Sequence, residues 1–322
     1  MQIVLCYPVE DAHLEQIRST VPDADVYAAT QDEIPVKIFD ADIFCGHAKV
    51  PMPWDDVVAQ GQLKWIQSSA AGLDHCLVPS VIDSDILVTG ASGLFADQVA
   101  EQTMALLLGY LRSMHVFFRA QLEKEFIRRP TADLHGKTVG IVGLGGNGRR
   151  IADVLAPYRV KIVATDLFPY TKPDCVKDLW PAEELDRLLQ KSDIVILAVP
   201  LTSQTKGMIG RREMAQMRAG SVLINVARGP VVVESALAAA IKSGHLGGAG
   251  VDVTEVEPLP PESPLWEMPN VLISPHVGAQ SARRIDDTTD RVCENLRRFF
   301  AGEELVDVID KKRGFSVPKP PA

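Results

Sequence analysis

Short apolar runs alternate with amphipathic stretches along almost the whole chain. In the first hundred residues, Ile3 to Tyr7, Asp25 to Ala28, Ile43 to Cys45 and Leu63 to Gln67 read as strands, with helices at Asp11 to Thr20 and around Trp54 to Gln60. A helix from Ala96 to about His115 is apolar round nearly its whole circumference, through Val99, Met104, Leu106, Leu107, Leu108 and Leu111. Such a helix must be covered on several sides, which predicts a place between two lobes. A second series starts at Lys137: strand, turn, helix, and a strand Val160 to Asp166. Helix Pro181 to Gln190, strand Ile194 to Val199, helix Arg211 to Gln216, strand Val222 to Val226 and helix Glu234 to Ser243 follow. Strands Gly248 to Val253 and Val271 to Ser274 finish it. The closing helix, Ala279 to Phe300, is long enough to return to the first lobe, and the Pro-rich Val317 to Ala322 is expected to be disordered. This alternation predicts the α/β class, with doubly wound parallel sheets covered on both faces.

The turn after Val142 reads Gly143-x-Gly145-x-x-Gly148 and opens directly into a helical pattern. Strand, glycine turn and helix in that order form the fingerprint of a dinucleotide-binding crossover. Gly143 permits the turn, Gly145 lets backbone approach a pyrophosphate, and Gly148 lets helix and strand pack. The helix N-terminus offers free N–H groups to the phosphates. Asp166 closes the next strand eighteen positions after Gly148. A carboxylate there accepts from the adenosine ribose and repels a 2′-phosphate, so the pattern favours NAD over NADP. The alternative is that the glycines only make a turn and Asp166 only ends a strand. Arg149 and Arg150 leave a route to NADP.

Composition narrows the class. At 322 residues, 46% apolar and 23% charged, the chain has room for about two globular domains. A net charge of −9 without a basic stripe argues against a nucleic-acid partner. Cys6, Cys45, Cys76, Cys175 and Cys293 show neither paired spacing nor a metal-ligand pattern, so no metal is expected and the thiols read as free, in a reducing compartment. No secretory signal is visible, and the apolar helix is too short and polar to span a bilayer, which excludes a membrane role and makes the cytoplasm the expected location.

Three polar residues fall just past the carboxyl ends of late strands: Arg228, Glu257 and His276. In an open parallel sheet these ends share the edge that carries the phosphate loop, and ligands bind in the crevice there. An arginine fork can hold a carboxylate, and a histidine can exchange a proton with a carbonyl oxygen. A glutamate can orient that histidine. Taken singly each has a plain structural alternative: a solvated arginine, an acidic proline-stiffened loop, a helix-capping histidine.

The ordered set Val99-Ala-Glu101, Leu134 through Gly145, Pro200-Leu-Thr-Ser-Gln-Thr205, Asn225-Val-Ala-Arg-Gly229, Asp252 through Pro258 and Ser274-Pro-His-Val-Gly278 resembles the D-isomer-specific 2-hydroxyacid dehydrogenases, over nearly the whole length. That family includes phosphoglycerate dehydrogenases and glyoxylate/hydroxypyruvate reductases. The resemblance implies Arg228 on the substrate carboxylate and carbonyl, His276 as acid/base, Glu257 orienting it, and Asp252 at the nicotinamide amide. It places Gly143, Gly145, Gly146, Asn147, Gly148, Asp166, Pro200, Thr205, Val226, Ala227, Arg228, Asp252, His276, Gly278 and Ala279 around NAD. In the loop Ser68 to His75 it points to the backbone of Ala71 and Gly72 for the substrate carboxylate. His75 reads either as a substrate-tail contact or as a structural histidine, and with Lys49 it is a weak candidate for a phosphate pocket. Gly146-Asn147 departs from the larger and aliphatic pair usual in relatives, which bears on cofactor affinity. Thr254 replaces a frequent aromatic, which bears on the shape of the active-site loop.

The expected architecture is two doubly wound parallel-sheet lobes. A Rossmann NAD-binding domain (96–281) is inserted in a flavodoxin-like substrate domain (1–95 and 282–322). The expected function is NAD-dependent interconversion of a D-2-hydroxy acid and its 2-oxo acid by a homodimer whose lobes close on the substrate. The rivals are an NAD(H)-sensing corepressor-like binding protein of the same fold and a formate- or phosphite-type dehydrogenase.

Overall fold

The computed structural model describes residues 1–318; Lys319 to Ala322 of the Pro-rich tail lie outside the described residues. The chain divides into two compact units, Met1–Phe95 with the segment from Ser281 onward, and Ala96–Gln280.

The first unit holds five parallel strands, β1 (Gln2–Cys6), β2 (Asp25–Ala28), β3 (Ile43–Gly46), β4 (Trp65–Ser68) and β5 (Leu87–Thr89), in the order β2-β1-β3-β4-β5. This is the flavodoxin-like order. One core layer, including Val4, Phe44, Trp54 and Ile66, lies on one face. On the other, Ile3, Leu5, Ile43 and Trp65 pack with Val292, Cys293 and Leu296 of the helix Arg284–Ala301. That helix lies along Asp11–Thr20, joined by His13 Nε2 to Asp286 Oδ1 (2.8 Å) and Gln16 Nε2 to Asp290 Oδ1 (2.7 Å). A buried polar chain fixes it further. Asn295 Nδ2 donates to Gln67 Oε1 (2.7 Å), which also accepts from Thr89 Oγ1 (2.9 Å), and Thr89 accepts from Trp65 Nε1 (2.8 Å). Every member has a partner, which is what keeps such a network from being a liability. The helix begins later than its apolar pattern because residues 276–280 are tied into turns, including Gln280 N to Val277 O (2.8 Å). Strand β5 and the short helices Ile34–Lys37 and Pro79–Asp83 were not foreseen, being shorter than the periods that reveal an element.

The second unit holds seven parallel strands. They are β6 (Thr138–Val142), β7 (Lys161–Asp166), β8 (Val176–Pro181), β9 (Ile194–Leu197), β10 (Val222–Asn225), β11 (Gly248–Val251) and β12 (Val271–Ile273), in the order β12-β11-β10-β9-β6-β7-β8. The order reverses between β6 and β9, the Rossmann arrangement, and ligands bind beyond the carboxyl ends of strands at such a reversal. Strand β8 escaped the sequence reading because only Val176 and Trp180 of this edge strand are buried. Pro181 ends it, so the expected helix Pro181 to Gln190 is a 3₁₀ turn, Ala182–Glu184, followed by the helix Leu185–Lys191.

The expected helix Ala96 to His115 is also two elements. Ala96–Leu111 packs on the helix Gly146–Leu155 and against β11 and β12. It stops because Ser113 takes a left-handed conformation (φ +56°), after which Met114–Leu122 forms a separate helix. Val99, Ala100, Met104, Leu106, Leu107 and Leu111 are buried in this unit's own core. Its apolar circumference is therefore accounted for by cover from the sheet and a neighbouring helix. The helix Met114–Leu122 buries no residue. Phe118, Leu122 and Ile127 lie mostly in water and Phe126 entirely so.

Candidate active site

The glycine turn leaves β6 at Gly143, whose φ of +94° is open only to glycine. A Cβ on Gly148 would stand 2.0 Å from Gly143 O, so helix and turn close on each other only without a side chain there. Gly145, the N-cap of the helix Gly146–Leu155, has nothing within 4 Å of its missing Cβ. Backbone amides thus face open space at the N-terminus of a ten-residue helix, a cradle that fits a pyrophosphate. Gly146 is exposed and Asn147 half-buried in the first turn.

Asp166 braces this turn. Its Oδ2 accepts from Leu144 N (2.6 Å) and its Oδ1 from Phe168 N (2.8 Å). Each oxygen keeps a lone pair for a ribose hydroxyl. Arg149 and Arg150 are engaged elsewhere: Arg149 Nη2 donates to Thr171 O (2.6 Å) and Arg150 pairs with Asp97. Past β9, Thr205 Oγ1 donates to Pro200 O (2.6 Å) and accepts from Thr202 N (2.8 Å), which staples the loop beside the reversal.

The ends of β10, β11 and β12 bring the three candidate residues to one edge. His276 Nδ1 lies 2.8 Å from Glu257 Oε2. Both side chains are partly exposed, and Glu257 Oε1 also accepts from Thr254 N (3.2 Å). His276 itself has φ +54°, a left-handed conformation that a non-glycine residue keeps only when its surroundings impose it. Asp252, 3% exposed, imposes it: Asp252 O accepts from His276 N (2.7 Å). The side chain of Asp252 accepts from Ser274 Oγ (2.6 Å) and Val277 N (3.1 Å) at Oδ1, and from Gly278 N (2.8 Å) at Oδ2. Ala279 follows in the same turn.

Arg228 follows β10 in a loop held by the buried Asn225, whose Oδ1 accepts from Ala227 N (3.1 Å) and whose Nδ2 donates to Arg228 O (3.3 Å). Val226 and Ala227 are buried beside it. A Cβ on Gly229 would fall 1.7 Å from Thr254 O, so the arginine loop lies backbone to backbone on the loop that carries Glu257. The half-buried Arg228 donates to Ala227 O (2.7 Å), and no carboxylate pairs with it among the described residues. A guanidinium so placed offers its remaining donors to an anion.

In the first unit, Ala71 is exposed and Gly72 half-buried in the loop after β4, where Ser68 Oγ accepts from Ala70 N (3.1 Å). His75 stacks on His47 with ring centroids 4.0 Å apart and its carbonyl accepts from Trp54 Nε1 (2.9 Å). Burial, then the neighbouring His47, push its imidazole down to about 3, so it carries no charge near neutrality. A neutral imidazole is no anchor for a phosphate. Among the described residues no group of His, Cys, Asp and Glu could hold a metal ion, and no helix is long and apolar enough to cross a membrane. The five cysteines are unpaired.

Sequence reasoning missed the supports: Asn225 under the arginine loop, and Ser274 with Gln102 beneath Asp252. Gln102 Nε2 donates to Ser274 Oγ (2.7 Å). Nothing in the sequence sets Gln102 apart from Gln98 and Glu101 on the same helix.

A reversed parallel sheet with a fitted phosphate cradle and an arginine, a glutamate and a histidine on its carboxyl edge defines a dinucleotide-dependent oxidoreductase. The family model for the D-isomer specific 2-hydroxyacid dehydrogenase NAD-binding domain matches residues 104–278. Glyoxylate reductase of Thermofilum pendens is 35% identical over 79% of this chain and 77% of its own. D-3-phosphoglycerate dehydrogenase of Mycobacterium bovis is 32% identical over 87% of this chain, which spans 53% of that protein. The structure of a D-isomer specific 2-hydroxyacid dehydrogenase from Xanthobacter autotrophicus in complex with NADPH and MES aligns with a TM-score of 0.82 at 30% identity, covering 97% of this chain and 99% of that one. The chain belongs to the D-isomer specific 2-hydroxyacid dehydrogenase family, NAD(P)-dependent oxidoreductases acting on CH–OH groups, and its second unit is their NAD-binding domain.

Proposed function

We propose that this protein is an NAD-dependent dehydrogenase that interconverts a small, unphosphorylated D-2-hydroxy acid and its 2-oxo acid. The observation that carries the reading is the 2.8 Å contact of His276 Nδ1 with Glu257 on the edge that carries the cofactor cradle. When bound, the nicotinamide cofactor supplies or takes the hydride. Glu257 fixes Nδ1 as the protonated nitrogen, which leaves Nε2 to give a proton to the carbonyl oxygen on reduction and to take it from the hydroxyl on oxidation. Arg228, with no carboxylate paired to it among the described residues, holds the substrate carboxylate and polarises the adjacent carbonyl. Backbone N–H groups at Ala71 and Gly72 are assigned to that carboxylate as well.

Asp252 Oδ2 accepts from Gly278 N and has capacity left for the cofactor's amide. Gly143 through Gly148 take the pyrophosphate, and Pro200, Thr205, Val226, Ala227, Gly278 and Ala279 line the cofactor. Asp166 selects NAD, because a 2′-phosphate would meet a carboxylate while Arg149 and Arg150 are turned to other partners. The exposed apolar face of Phe118, Leu122, Phe126 and Ile127 is assigned to a homodimer contact, and the free thiols suit the cytoplasm.

The test is NADH oxidation against glyoxylate, hydroxypyruvate, pyruvate and phosphohydroxypyruvate, repeated with NADPH. Turnover of an unphosphorylated acid with NADH is expected. Inertness toward every 2-oxo acid, or a clear preference for the phosphorylated one or for NADPH, would overturn the corresponding part of the reading.

A further inference from the structure

Asp252 is a buried carboxylate with no cationic side chain paired to it among the described residues, so its surroundings must satisfy it by hydrogen bonds. One of its donors is a hydroxyl, Ser274, whose orientation is set in turn by Gln102. The polarity of this chain follows from chemistry. Ser274 Oγ and Asp252 Oδ1 are 2.6 Å apart, and two oxygens at that distance need a proton between them. The serine hydrogen therefore points at Asp252, and Ser274 must accept from the amide nitrogen of Gln102. The opposite amide orientation would present one oxygen to another. Gln102 to Ser274 to Asp252 thus has one allowed direction, anchored on the rigid helix Ala96–Leu111.

At the other end, Asp252 grips three consecutive residues: His276 through its carbonyl, and Val277 and Gly278 through its carboxylate. Gly278 leaves no play, since a Cβ there would stand 2.8 Å from Asp252 Oδ2. This grip sustains the left-handed backbone of His276, from which the ring reaches Glu257.

We propose that Gln102 and Ser274 are positioning residues for His276, acting through the hydrogen-bond chain that orients Asp252. The proposal rests on the reading of His276 as the proton-transfer group. Losing the Ser274 hydroxyl removes one of three donors to the carboxylate and frees it to rotate away from the 277–278 amides. The imidazole then samples misaligned directions, a fault that costs turnover far more than binding.

The experiment compares S274A, S274T and Q102L with the wild-type protein, alone and combined with H276Q. NADH affinity is read by fluorescence, and kcat and KM with whichever of glyoxylate and hydroxypyruvate turns over. Hydrogen exchange of the 276–280 segment is followed without any ligand. In S274A we expect kcat to fall about tenfold or more, with KM within about threefold of wild type and NADH affinity reduced by less than kcat, since Asp252 is also assigned to the cofactor's amide. Exchange at 277–278 should be faster, and S274T should restore both readouts. Q102L should repeat the pattern more weakly, and serves if S274A fails to fold. In the H276Q background S274A should add nothing. Unchanged exchange or kcat in both S274A and Q102L, a loss confined to KM and cofactor affinity with kcat unchanged, or additivity with H276Q would overturn the proposal. Full activity of H276Q alone would instead overturn the assignment of His276.

Discussion

The ring of His276 is placed by its backbone. A histidine at φ +54° in a strand-end turn presents its ring sideways, against Glu257, instead of continuing the strand direction. Replacing His276 with glutamine keeps the size and a hydrogen-bonding head but removes a group that can give and take a proton. Turnover is expected to fall by roughly 10²–10⁴ while NADH affinity, measured by fluorescence titration, stays within a few-fold. Glu257→Gln should cost less, because it loosens the ring without removing it. At this scale the sequence marked the candidate residues and was silent on what supports them. Arg228, Glu257 and His276 stood out as candidates because polar residues after buried strands are conspicuous, and the structure brings all three to one sheet edge. Ser274 and Gln102 did not stand out, because only contact across distant segments distinguishes a supporting hydroxyl or amide from a solvated one.

Elements were legible where their apolar periods were long and were lost where geometry, and no period, sets the boundary. Ser113 divides a continuous apolar pattern by one left-handed residue, and β8 hides behind two buried side chains. The glycine turn was legible because its constraint is steric and local. Gly148→Ala forces a methyl onto Gly143 O and should cost about 1–3 kcal/mol of stability, seen as a lower Tm, together with NADH affinity. The loop after β4 makes a different prediction. The imidazole of His75 is pushed down to about 3 from 6.5 by burial and then by His47. Between those values the unfolded chain holds a proton that the folded chain refuses. Stability is therefore intact above pH 6.5 and declines below it, by up to about 1.4 kcal/mol per pH unit. His75→Gln should flatten the fall of Tm between neutral and mildly acidic buffer.

On the scale of the molecule, parallel sheets follow from alternating strands and helices, but which strands neighbour each other does not follow from alternation alone. The oligomer was expected partly from the apolar helix at Val99 to Leu111, and that helix is consumed by its own core. The surface proposed for a second copy is the next helix and its trailing segment. Leu122→Asp with Phe126→Asp, both exposed, should leave the fold intact and shift the particle from twice the 35.1 kDa chain mass to a single copy in light scattering. No change in mass would remove this face from consideration.

The helix Arg284–Ala301 carries a consequence for the order in which the protein is made. Strands β1, β3 and β4 leave the ribosome early, yet Val292, Cys293, Leu296 and Asn295, which cover one side of them, are translated last. For most of synthesis Ile3, Leu5, Ile43 and Trp65 have no native roof, whereas the dinucleotide unit has all its own strands in hand once residue 280 has emerged. Nascent chains stalled near that point should therefore be protease-resistant in their later half and bound by chaperone over their first.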